Sequence, residues 1–252
     1  MGLDERLKYA EMKARHKKVL RPWYRKWWGV LIIVIMSFIL ILLVISGLYL
    51  NEKIKEILSE QEALSLEQQK QDYLSAVRGH AGNFSLGAAE PIVTIIEFGD
   101  FSCSFCAQSA AGFRQVAKKY PNQVKIVWRD YPLISADSVI LALAARCAGE
   151  QGKFWEYHDL LFANQDSINS SDSNEEFGQL LESLAQESGI SVQQFNTCLD
   201  YQTYLDRINL DYQDAENLDL SGTPTWFIND YHKITGALSE EKLDELVRGF
   251  IK

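Results

Sequence analysis

Residues 27–50 carry no charge, and 29–50 are almost wholly Val, Ile, Leu, Phe and Met. About 22 residues at ~1.5 Å each reach about 33 Å, the thickness of a bilayer's hydrocarbon core. A core helix of that length in a soluble protein would keep a polar face, and this run has none. Ahead of it the basic residues Arg6, Lys8, Lys13, Arg15, Lys17, Lys18, Arg21, Arg25 and Lys26 stand against three acids. Beyond it acids prevail, so the 252-residue chain carries a formal charge of −9. Basic flanks stay in the cytosol, and Trp23, Trp27, Trp28 and Tyr49 suit the interfacial belts. The expected organisation is therefore a cytoplasmic basic segment at 1–26 and a transmembrane helix at 27–50. Everything downstream is then extracytoplasmic, held by a single pass in the cell (inner) membrane. A cleaved signal peptide is the competing reading, although the apolar run exceeds the usual ~7–15 residues. A basic head on an acidic chain points to membrane lipid as a partner and away from nucleic acid.

Outside the cytosol thiols oxidise, so four cysteines favour disulfides over free thiols. They allow about three connectivities. Cys103 and Cys106 form a C-x-x-C on one helical turn, which leaves Cys147 and Cys198 as the other pair. Two buried free thiols are the alternative for that second pair. A zinc site is disfavoured because only one close cysteine pair exists and His16, His80, His158 and His232 show no ligand spacing. No metal or dissociable cofactor is expected.

Residues 51–78 are rich in Glu, Gln and Lys with sparse, irregular apolar positions. They read as a solvated helical stalk, broken by Gly79-His80-Ala81-Gly82-Asn83, so stalk and linker cover 51–82. A domain over 83–252 follows. The β-branched runs at 92–98 and 124–130 predict strands, with a helix over 103–120 between them that stops at Pro121. Residues 136–220 read as helical, in segments 136–149, 153–164, 175–188, 192–199 and 202–218. A hairpin at 225–228 and 233–235 turns around Asn229-Asp230, and Ser239 is the N-cap expected for a last helix over 240–251. The order is β-α-β, a helical insertion over about 136–220, then β-β-α. Phe154, Trp155, Tyr157 and Phe162 recur at helical spacing and read as core of the insertion.

Cys103 is predicted at the first turn of its helix, where unpaired N–H groups and the helix dipole favour a thiolate. That effect is at most about 2 kcal/mol, or roughly 1.5 pKa units. Cys106, one turn further in, is expected to be more buried. Cys103 then exchanges with partners and Cys106 resolves. A structural bridge so short would constrain little chain entropy, which argues against an inert role. Glu97 lies six residues ahead of Cys103 on the preceding strand, where a buried carboxyl suits proton transfer to Cys106; the alternative has it facing outward. Pro224 after Thr223 cannot serve a central ladder, and X-Pro bonds tolerate the cis form. A cis bond there would set the Thr223 backbone beside the Cys103 sulfur to pair with an extended substrate.

The phrases Glu97-Phe98-Gly99-Asp100-Phe101-Ser102-Cys103 and Cys147-Ala148-Gly149-Glu150-Gln151-Gly152-Lys153-Phe154-Trp155, with Gly222-Thr223-Pro224 downstream, carry a family likeness. Over roughly 83–252 the chain resembles the DsbA-like thiol:disulfide oxidoreductases of the thioredoxin-fold superfamily. That resemblance implies an α/β thioredoxin fold with an inserted helical subdomain, preceded here by one transmembrane helix and a helical stalk. It implies Cys103 as nucleophile, Cys106 as its partner, and Thr223 with cis-Pro224 lining the substrate groove. It also implies a Cys147–Cys198 bridge within the insertion. DsbA itself has Pro-His between its cysteines and Val before its cis-proline; here Ser104-Phe105 and Thr223 stand instead. Phe105 cannot donate a hydrogen bond to a thiolate, so a less oxidising poise than that of DsbA is expected.

The resulting expectation is a membrane-anchored oxidoreductase that introduces disulfides into exported proteins bearing cysteines. Family analogy supplies a membrane redox partner of the DsbB or vitamin-K-epoxide-reductase type. Two alternatives stay open: a reductase or isomerase of the same fold, and a chaperone or binding module without turnover.

Overall fold

A computed structural model describes residues 2–16, 23, 26–171 and 173–251. The chain divides into two compact units, 1–67 and 68–252. In the first unit, α1 (Leu3–His16) is a helix that the sequence reading did not anticipate. Helix α2 (Trp27–Arg78) begins in the same unit and runs without a break over the stretches read as span and stalk. Among the described residues it is the helix long and apolar enough to cross a membrane. Its apolar side chains from Val30 to Leu50 are exposed.

The second unit carries β1 (Ser85–Gly87), β2 (Val93–Gly99), α3 (Ser104–Lys119) and β3 (Val124–Asp130). Between β3 and β4 lie α4 (Ser138–Glu150), α5 (Phe154–Ala163), α6 (Gln165–Asn169), α7 (Asn174–Glu187), α8 (Val192–Asp200) and α9 (Leu205–Asn217). The hairpin of β4 (Thr225–Ile228) and β5 (His232–Thr235) and the helix α10 (Glu240–Ile251) complete the chain. Among the described residues the sheet order is β1-β3-β2-β4-β5, with β2 and β3 parallel and the other pairs antiparallel. This is a thioredoxin-like mixed sheet with helices. Strand β1 escaped the sequence reading because a three-residue edge strand has no period to read.

Strands β2 and β3 are buried along almost their whole length, which is why both are near-continuous apolar runs rather than alternating ones. Side chains still alternate between faces. Val93 and Ile95 join the larger core with Phe113, Val116, Trp226, Leu243 and Val247. Ile96 and Phe98 join a second core with Ala76, Val77, Ala215 and Phe227. Glu97 therefore belongs to the face packed by α3 and α10. Phe154, Tyr157 and Phe162 are buried in the larger core and Trp155 packs against it, as their spacing predicts.

Helix α10 starts where expected, with the Ser239 hydroxyl accepting the Lys242 N–H at 3.3 Å. Helix α9 starts three residues later than the pattern suggested, because Gln202 turns into the left-handed region at φ 49°. The short helix α6 lies between the expected segments 153–164 and 175–188.

The second core is closed by buried charge. Arg129 Nε donates to Asp211 at 2.8 Å, its second branch meets Asp214 at 2.5 Å, and its third donates to the Ala76 and Val77 carbonyls at 2.9 and 3.1 Å. Those carbonyls belong to the last turn of α2, whose orphan acceptors and negative dipole end suit a guanidinium. The turn ends at Gly79, with φ +70° and an added Cβ only 2.4 Å from the Arg129 guanidinium, so only glycine fits there. Arg146 completes the group, pairing with Asp130 and with Asp211 at 2.6 Å. Residues from α2, β3, α4 and α9 are thus fastened to one another by charges that sequence patterning cannot pair.

The Cys147–Cys198 disulfide joins α4 to α8, with Cα atoms 5.8 Å apart and a sequence separation of 51.

Candidate active site

Cys103 is the N-cap of α3, in extended conformation at φ −84° and ψ 119°. Its carbonyl accepts the Cys106 and Ala107 N–H groups, each at 3.1 Å, which starts the helix. The tight turn ahead of it is an Asx turn, with Asp100 Oδ1 accepting the Ser102 N–H at 2.8 Å. Cys103 and Cys106 are both free thiols and both buried, at 4% and 0% exposure, whereas Phe105 between them is 55% exposed. The Thr223–Pro224 bond is cis. Across that loop the Cys103 thiol donates to the Thr223 carbonyl at 3.3 Å.

The electrostatics separate the two sulfurs. The Cys103 pKa falls to about 6, chiefly because the Cys106 thiol donates to its sulfur, with the Thr223 side chain and the N–H groups of Cys106 and Phe105 assisting. The Thr223 hydroxyl is buried and makes no hydrogen bond among the described residues. The drop exceeds what the helix terminus alone would produce, and the neighbouring thiol is the reason. Cys106 is pushed well up by burial first, then by its hydrogen bond to Cys103 and by the negative charges of Glu97 and Cys103.

Glu97 is fully buried, and neither carboxyl oxygen has a hydrogen-bond partner among the described residues. Burial, and then the charge on Cys103, raise its pKa well above the carboxylate range. It sits across from Trp226 on β4 and Trp128 on β3, on the sheet face that α3 covers. The outward alternative is thereby excluded. The arrangement favours the thiolate on Cys103 and the protonated forms of Cys106 and Glu97, three coupled groups within one core.

Asp100 was legible only as part of the motif. Its carboxylate is buried and Oδ2 accepts the Leu133 and Ile134 N–H groups and the Ser138 hydroxyl, each at 2.8 Å. The D-x-S spacing signals the local Asx turn, but nothing in it signals the loop 33 to 38 residues downstream.

A dithiol at a helix N-terminus, a buried carboxyl beneath it and a cis-proline loop against the outer sulfur together define a thioredoxin-fold thiol site. The chain belongs to the thioredoxin family: the family model described as Thioredoxin matches residues 80–248. Among solved structures it is similar to BdbD from Bacillus subtilis in oxidised form, at 23% identity and TM-score 0.59 over 68% of this chain and 93% of that one. It is also similar to the thiol-disulfide exchange protein alpha-DsbA2 from Wolbachia pipientis, at 20% identity and TM-score 0.61 over 72% and 94%. These likenesses carry the fold. Among curated proteins, "Na(+)/H(+) antiporter NhaA 1" of Salinispora arenicola is 34% identical over 145 residues, 57% of this chain but 21% of the antiporter. The match spans about a fifth of that relative. It carries no transport activity over to this chain.

Proposed function

We propose that this chain is a membrane-anchored, extracytoplasmic thiol–disulfide oxidoreductase that introduces disulfides into exported proteins through Cys103 and Cys106. The observation that carries the reading is the Cys103 sulfur, at the start of α3 with a pKa of about 6 and 3.3 Å from the Thr223 carbonyl. Residues 27–50 are the proposed span, supported by the apolar length of α2 and the basic flank ahead of it.

In the oxidising direction a substrate thiolate attacks Cys103 of the Cys103–Cys106 disulfide. A substrate–Cys103 bond forms, and the electron pair of the broken bond leaves on Cys106. Glu97 is placed to pass a proton to that sulfur, whose charge burial disfavours. A second substrate thiolate then attacks the substrate sulfur of the mixed disulfide, and Cys103 leaves as a thiolate. Thr223 and Pro224 form the wall along which an extended substrate pairs. Reoxidation falls to a membrane redox partner of the DsbB or vitamin-K-epoxide-reductase type.

The test is alkylation trapping in cells. An oxidase rests with Cys103 and Cys106 as a disulfide, and a Cys106→Ala variant accumulates mixed disulfides with exported proteins. A resting dithiol favours the second reading, a reductase or isomerase, for which Ser104-Phe105 in place of a histidine donor is the supporting observation. A Cys103→Ala chain that keeps full activity would reduce the domain to a binding module.

A further inference from the structure

The loop that leads into β4 is held along its length by its carbonyls. Lys233 Nζ donates to the Leu218 and Asp219 carbonyls at 3.2 and 3.1 Å. The Tyr131 hydroxyl lies 3.2 Å from the Leu220 carbonyl, and the Gly236 N–H donates to the Pro224 carbonyl at 2.8 Å. Next to Thr223, the Thr225 hydroxyl donates to the Gly222 carbonyl at 2.7 Å. Thr225 is 0% exposed and is laddered to Phe98 on β2 and to Thr235 on β5, so the sheet carries that hydroxyl on a rigid frame.

The Gly222–Thr223 peptide is trans, so its C=O and its N–H point in opposite directions. With the carbonyl turned onto Thr225, the Thr223 N–H is turned away from it. A residue before proline is confined to extended backbone, where its N–H and C=O face the same side. The Thr223 C=O meets the Cys103 sulfur, so the Thr223 N–H faces that side too. It makes no hydrogen bond among the described residues.

Building on the exchange reading above, we propose that Thr225 is a positioning residue for the substrate backbone, its hydroxyl holding the Gly222–Thr223 peptide so that the Thr223 N–H meets a substrate carbonyl. In the disulfide form Cys103 has no proton to donate, which frees the Thr223 carbonyl to accept a substrate N–H as well. One residue of an extended substrate then pairs with Thr223 through both groups, and the neighbouring cysteine is brought to Cys103. Its thiolate attacks Cys103 and a substrate–Cys103 bond forms. The electron pair of the Cys103–Cys106 bond leaves on Cys106, which takes the proton that Glu97 supplies. Thr225 acts only through the peptide it holds, so its effect is selective. A thiol without a peptide group has nothing to pair with the Thr223 N–H.

The experiment uses the full chain with Thr225→Val, which keeps the branched shape and loses the donor, and Thr225→Ser, which keeps the donor. Exchange of the oxidised protein is timed with a cysteine-containing peptide and with 2-mercaptoethanol. Thr225→Val is expected to lower the ratio of the peptide rate to the mercaptoethanol rate about 5-fold, the worth of one hydrogen bond, with Thr225→Ser close to the native ratio. An unmoved ratio in Thr225→Val overturns the proposal. So does equal slowing with both thiols, which marks general loosening of the loop, and so does a serine variant that loses as much as valine. If Thr225→Val does not fold, Thr225→Ala read against Thr225→Ser decides by the same ratio. Native protein that exchanges with neither thiol sinks the oxidoreductase reading and this role with it, whereas native exchange with an unmoved ratio sinks the role of Thr225 alone.

Discussion

The Cys103 sulfur meets the Thr223 carbonyl oxygen at 3.3 Å, although 120 residues separate them. The contact depends on the β2–β4 ladder, which pairs Phe98 with Thr225 and so brings the loop before β4 beside the turn after β2. The carbonyl accepts from the neutral thiol, whereas the Thr223 hydroxyl lowers the thiol pKa. One residue thus addresses both protonation states.

Thr223→Val removes the hydroxyl and keeps the carbonyl. The Cys103 midpoint, near pH 6 in the native chain, is expected to rise by about 0.7 unit, the worth of one hydrogen bond of about 1 kcal/mol. Thiolate absorbance across a pH titration of the reduced protein checks it. An unmoved midpoint would show that the hydroxyl does not serve the sulfur.

Glu97→Gln is expected to stabilise the reduced protein at alkaline pH and to slow exchange. The folded-state pKa of Glu97 lies above its unfolded value, so its contribution to stability is complete below about pH 4.3 and is lost as pH rises towards the folded pKa. Glutamine has no charge to bury, so the Tm advantage of the variant should grow from about pH 4 to about pH 8. Thermal melts at both pH values decide; a constant difference counts against the buried, raised carboxyl. Exchange at neutral pH should fall by about 10²-fold, the lower range for a lost proton-transfer group.

Asp211→Asn leaves Arg129 and Arg146 with incomplete partners in a fully buried site. Breaking such a pair costs about 3–5 kcal/mol. Denaturant unfolding of the variant should show that loss, and a change under about 1 kcal/mol would mean that the network contributes little.

Replacing Cys147 and Cys198 with alanine opens a crosslink of separation 51. The chain-entropy model assigns such a loop about 4 kcal/mol, so the unfolding midpoint should fall while exchange at Cys103 persists. Stability and peptide exchange measured on the same preparation separate the two effects.

The reduction potential is expected between about −120 mV, as in DsbA, and about −270 mV, as in thioredoxin. The Cys103 pKa of about 6 lies between the extremes of about 3.5 and 7 for those two proteins. Equilibration with glutathione buffers measures it, and a value at or above that of DsbA would count against the missing histidine donor as the cause.

Local chemistry made much of this molecule legible in its sequence. The β-branched runs marked β2 and β3, Pro121 marked the end of α3, and Ser239 marked the start of α10, because each signal acts within a few residues of itself. The C-x-x-C, Glu97 and Thr223-Pro224 could be named from residue chemistry and order along the chain. What sequence could not settle was long-range and polar. The face that Glu97 takes depends on strand register. The depth of the Cys103 pKa depends on the Cys106 thiol and the Thr223 side chain meeting one sulfur. The Arg129–Asp211 group and the hold of Asp100 on residues 133–138 join partners dozens of residues apart. Hydrophobic periodicity reports which residues are buried, but it cannot choose partners for a buried charge. That choice was made by tertiary packing, which alone brings an isolated donor and acceptor within hydrogen-bond distance where water cannot compete.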